Sequence, residues 1–223
     1  MNPALRKVHE NMRDLGLGAL AHANWHANYA HDNRWTPELA VLQAAHAAEL
    51  LIKARIAEEH PLLIFEQLPR QSQSPDGRLD FAALFESGRT VQYFELPALL
   101  WAATGIEIPD RGHYTVFGKL RNSIQHFAPP EGVDVHAETL RFIYGVIDPF
   151  INACWNLFAI DYNEDHEPYV YLMGGLFRHE VPFLVSPEAA AEFEQSKDEL
   201  ISTSPAYRKK MIARVKASSK SRG

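Results

Sequence analysis

The chain has 223 residues, 46% of them hydrophobic and 22% charged, which is enough length and apolar material for a full core and is not the composition of a disordered chain. Its formal charge of −6 argues against a protein that coats nucleic acid, because phosphate binding is largely electrostatic. One cysteine, Cys154, excludes an internal disulfide, and its place in the apolar run Phe150 to Trp155 makes it a core filler in a reducing compartment.

No stretch approaches the roughly 18 apolar residues of a membrane span. Arg6, Lys7 and Glu10 do not make the basic-then-apolar start of a signal peptide. The expectation is a cytoplasmic protein with no membrane partner.

From Pro3 to Tyr29 no proline interrupts, and Leu5, Val8, Met12, Leu15 and Ala19 recur at three- and four-residue spacing, predicting one long helix with one buried stripe. Thr36, Pro37 and Glu38 make a helix start, and that helix runs until His60-Pro61 stops it. The turn-forming run from Pro69 to Gly77 predicts an exposed loop, after which Asp80 restarts a short helix. Leu96 to Gly105 has proline near its start and glycine at its end, the asymmetry of a short helix.

Between Tyr114 and Phe127 the apolar residues Val116, Phe117, Leu120, Ile124 and Phe127 form one stripe, and Pro129-Pro130 ends the helix. A last long helix spans His136 to Phe158, bent at Pro149. Beyond Tyr162, residues 169–173 read as a short strand and Ser186 or Pro187 to Ser202 as a helix. Four to five helices joined by modest loops predict an all-α bundle over residues 1–162. Residues 163–223 read as a C-terminal appendage. Residues 207–223 carry seven basic groups and no acidic one, so a mobile, RNA-guiding basic tail is expected there.

Two segments carry a resemblance. Ala44-Ala45-His46-Ala47-Ala48-Glu49-Leu50-Leu51-Ile52-Lys53-Ala54 lies on the second helix, and Arg121-Asn122-Ser123-Ile124-Gln125-His126 gives Arg-x4-His late in the bundle. Together, over about residues 35–160, the chain resembles the HEPN (higher eukaryotes and prokaryotes nucleotide-binding) superfamily. The resemblance implies a homodimer with the two Arg-x4-His helices facing one cleft, and metal-independent endoribonuclease activity needing no cofactor. A tyrosine two places after the histidine carries regulation in some members, but Ala128 stands there in this chain.

The residue types support that chemistry. RNA cleavage without a metal needs a base for the 2′-hydroxyl, an acid for the leaving oxygen and positive charge on the phosphate. Histidine changes charge near neutral pH, and arginine offers a permanent planar fork. His126 is therefore the candidate acid/base and Arg121 the phosphate clamp, with Asn122, Glu49 and His46 in support. At 100° per residue Arg121 and His126 diverge by about 140° and stand about 7.5 Å apart along the axis, so one straight helix does not aim both at one phosphate, and a second chain could supply the missing partner.

The leading expectation is an endoribonuclease acting by 2′-hydroxyl attack, as a toxin or defence component, with RNA as substrate and an antitoxin or nucleotidyltransferase as partner. The alternative is a catalytically silent HEPN-type module that binds a nucleotide, RNA or a protein. A third reading uses metal: His22 and His26 are four apart on the first helix, with His31 soon after. No carboxylate completes that helix motif, so a solvated or satisfied histidine face is the stronger reading. No nucleophile elbow, P-loop or dinucleotide glycine pattern occurs.

Overall fold

The computed structural model describes residues 2–29, 35–67, 79–165, 168–196 and 200–220. The protein is mostly helical, an all-α fold with one two-stranded sheet among the described residues. It divides into two compact units, Met1–Leu15 with Glu49–Glu107 and Gly16–Ala48 with Ile108–Gly223. The loop expected at 69–77 lies outside the described residues.

A short 3-10 turn at Pro3–Leu5 precedes α1 (Val8–Asn28). The stripe expected along α1 breaks at Leu15, which is 60% exposed. From Gly16 onward the buried face is Gly16, Ala19, Leu20, Ala23, Asn24 and Ala27, and residue 16 is also where the chain passes from the smaller unit to the larger. Helix α2 (Thr36–Glu59) runs as its start and stop signals require, and the His60 ring then accepts from the Leu62 amide at the next turn.

In the smaller unit, β1 (Phe65–Gln67) pairs antiparallel with β2 (Arg89–Thr90). Between them lies α3 (Phe81–Ser87), capped by Asp80, whose carboxylate accepts from the Ala82 and Ala83 amides. Helix α4 (Leu96–Thr104) ends at Gly105, whose φ of 73° is the left-handed conformation that favours glycine.

In the larger unit, α5 (Arg111–His126) packs on α6 (Val135–Phe142). The Phe117 and Phe142 rings stack 3.8 Å apart, and His113 Nε2 meets Glu138 Oε1 at 2.8 Å. The single bent helix expected over 136–158 is α6, a π-helical stretch at Ile143–Ile147, and α7 (Asp148–Trp155). Pro149 explains the break. A proline crowds the carbonyl four residues before it, and the wider turn moves that group aside.

The strand expected at 169–173 is instead part of α8 (Pro168–Arg178). Leu172, Met173, Leu176 and Phe177 are all buried, a helical face that emerges over eleven residues and not over five. Ser186 Oγ accepts from the Ala189 amide at 3.1 Å and starts α9 (Pro187–Ser196). The basic segment forms α10 (Pro205–Lys220). Tyr207, Met211 and Val215 at four-residue spacing are buried, so through Lys220 the expected mobile tail is a packed helix. Helices α8 to α10 share the larger unit with α5 to α7, where the sequence set 163–223 apart as an appendage.

Candidate functional site

Helix α5 starts on Asp110, a left-handed residue whose carboxylate accepts from the His113 amide at 2.9 Å. Its buried face is Tyr114, Phe117, Gly118 and Leu120. Three members of the expected stripe lie outside that face: Ile124 is half-buried, Val116 is 58% exposed and Phe127 90% exposed. The buried face is therefore narrower than the apolar pattern suggested, and apolar surface is left over at the helix end.

Arg121 and Asn122 are half-buried beside this face, and Gln125 and His126 are exposed. Arg121 Nη1 donates to Asn122 Oδ1 at 3.0 Å, so the arginine is held by its neighbour on the same helix. His126 is the last residue of α5. The helix is closed there by the Phe127 amide on the Ser123 carbonyl at 2.8 Å and by Ser123 Oγ donating to the Ala128 carbonyl at 2.8 Å.

Next to His126 is a shallow cavity of about 330 Å³ lined by Trp35, Leu39, Leu42, Ile124, Phe127 and Pro129 among others. Trp35 and Leu39 are 54% and 42% exposed. Apolar side chains, with Glu38 among them, thus line the surface at the C-terminal end of α5.

The supporting residues fare unevenly. His46 is exposed on α2. Glu49 belongs to the smaller unit, where its Oε1 meets Lys53 Nζ at 2.6 Å and the same ammonium donates to Thr90 Oγ1 at 3.0 Å. Lys53 is almost completely buried, and a buried ammonium requires such a partner. Glu49 is the carboxylate that faces this ammonium.

Sequence reasoning missed a second polar cluster. Asn24 is fully buried on α1; its Nδ2 donates to the carbonyls of Ala159 at 3.0 Å and Tyr162 at 2.8 Å. Asp148, also fully buried, accepts from the amides of Ala159 at 2.9 Å and Leu184 at 2.8 Å. Burial pushes its carboxyl up to about 7, partly offset by those two amides and by the positive charge of Arg214. The sequence signal was an acid inside the apolar run Ile147-Asp148-Pro149-Phe150.

On the exposed side of α1, His22 Nδ1 lies 3.0 Å from both Glu164 carboxylate oxygens, and His22 Nε2 lies 2.9 Å from His26 Nε2. His31 lies outside the described residues. Among the described residues no group of three or more His, Cys, Asp or Glu side chains is placed to hold a metal ion, and no helix is long and apolar enough to cross a membrane.

Compared with family models, curated proteins and solved structures, the chain matches none.

Proposed function

We propose that the chain is a HEPN-like endoribonuclease that cleaves RNA by internal attack of the 2′-hydroxyl and works as a homodimer. The observation that carries this reading is the placement of Arg121 and His126: both sit at the solvent edge of α5, outside its buried face. Neither lies on the buried face of the helix, and that placement supports the reading. The exposed apolar rim of Trp35, Leu39 and Phe127 supports a second copy, because apolar surface of this kind beside a polar site marks an association surface.

In this mechanism a histidine imidazole takes the 2′-hydroxyl proton as the oxygen bonds to phosphorus. The P–O5′ bond breaks, a proton passes to the leaving oxygen, and arginine neutralises the charge on the phosphate. The products are a 2′,3′-cyclic phosphate and a 5′-hydroxyl. Two helices, one from each chain, bring an arginine and a histidine to the same phosphate despite their divergence of about 140° on one helix. A toxin or defence role follows from the resemblance, with an antitoxin or nucleotidyltransferase as partner.

The test is incubation of the purified protein with total RNA beside Arg121→Ala and His126→Ala. Loss of an acid/base group costs about 10²- to 10⁴-fold. A 2′-deoxy residue at the cut position should bind and resist cleavage. Equal activity of all three proteins, or products with 5′-phosphates, overturns the reading in favour of a silent binding module.

A further inference from the structure

We propose that His22 and His26, with Glu164 behind them, form a chelating site for one divalent transition-metal ion. The site shares no residue with the candidate cleavage site and does not depend on it.

The two histidines are one helical turn apart on α1, and their Nε2 atoms converge to 2.9 Å with the ring planes at 78°. The carboxylate of Glu164 sits at 3.0 Å from His22 Nδ1 through both oxygens. In that contact His22 Nδ1–H donates to the Glu164 carboxylate, which leaves the His22 Nε2 lone pair turned towards His26. A carboxylate that fixes the tautomer of one ring nitrogen while the other is left for a metal is the usual outer support of a ligating histidine. Without an ion, His26 Nε2–H fills the space by donating to His22. A cation takes the place of that proton, which moves to His26 Nδ1 as the ring switches to its other neutral tautomer.

The arrangement is held in position from inside the protein. Asn24, between the two histidines in sequence and fully buried, ties α1 to the carbonyls of Ala159 and Tyr162. Tyr29 donates to Asp165 just beyond. The segment carrying Glu164 is therefore pinned along α1 on both sides of the carboxylate. The His22 and Glu164 side chains are 40% and 46% exposed, so an ion there has access to solvent and completes its shell with water.

The spacing also selects the ion. With metal–nitrogen bonds of about 2.0–2.1 Å, two nitrogens this far apart subtend about 90° at the metal. That is the angle of tetragonal or octahedral coordination, which suits Cu(II) and Ni(II) better than tetrahedral Zn(II).

The experiment is titration of the metal-free full-length protein with CuCl₂, NiCl₂ and ZnCl₂ by calorimetry, with electron paramagnetic resonance of the Cu(II) form. One equivalent should bind, with Cu(II) tighter than Ni(II), and the spectrum should report two imidazole nitrogens. Glu164→Gln should weaken binding by about 10- to 100-fold. His22→Ala and His26→Ala should each leave one nitrogen in the spectrum and remove the Ni(II)-dependent rise in the thermal midpoint that the wild type shows. Unchanged helicity in the far-ultraviolet confirms that the variants fold, and Glu164→Gln keeps the test open where a histidine variant does not. Absence of binding to the wild type, or a two-nitrogen spectrum that survives loss of both histidines, overturns the proposal whatever the outcome for RNA.

Discussion

Tyr144 donates its hydroxyl to Asn24 Oδ1 over 3.1 Å, and both side chains are buried. With its two Nδ2 bonds, Asn24 spends its amide on three partners from three places in the chain. Asn24→Ala strips all three and leaves buried groups unsatisfied, so it should cost about 2–4 kcal/mol, while Tyr144→Phe should cost about 1–2 kcal/mol. The double variant should lose less than the sum, because both changes remove the same bond. Urea unfolding of the four proteins measures each value.

Asp148 makes stability depend on pH. Below about pH 4 its carboxyl is neutral in both folded and unfolded chains. Between the ordinary value of 3.8 and the folded value of about 7 the unfolded chain releases the proton and the folded chain keeps it. Its contribution to stability therefore falls as pH rises through this window, by on the order of 4 kcal/mol at 1.36 kcal/mol per unit. Asp148→Asn should be less stable than wild type at pH 4, since its amide NH₂ faces one of the two backbone donors. The gap should close or reverse by pH 8. Parallel urea midpoints for the two proteins from pH 4 to 8 contradict this.

Helix α10 predicts a division between its faces. Met211 is fully buried, and Met211→Ala should cost about 2–5 kcal/mol. Lys209, Lys210 and Lys216 are exposed, and replacing all three by serine should move stability by no more than about 0.5 kcal/mol per site. If RNA is the substrate, the same triple variant should bind it more weakly and with a flatter salt dependence. Truncation after Ala206 cannot make that distinction, because it also removes three buried side chains.

At Gly88 a Cβ would lie 2.3 Å from the Leu84 carbonyl oxygen and 2.6 Å from the Phe65 ring. The first of these is backbone and cannot rotate away. Gly88→Ala should therefore destabilise the smaller unit by about 1–3 kcal/mol, read as a lowered thermal midpoint.

Local chemistry written into a few neighbouring residues was legible in the sequence: the start of α2 at Thr36, the Asp80 cap, the Gly105 stop, and the end of α5 before Pro129-Pro130. Each depends on contacts within about one helical turn, which propensity and capping report directly. Only the tertiary structure decided that residues 169–173 are helical and that α10 is packed, because burial on one face outweighed short-range β-propensity and net charge. It alone joined Asn24 to Tyr144, Asp148 to the Ala159 and Leu184 amides, and His22 to Glu164, pairs 120, 11, 36 and 142 residues apart. Such pairs leave no periodic trace in one chain. A buried polar side chain is chosen to satisfy a partner that the fold supplies, so its identity becomes readable only when that partner is in place.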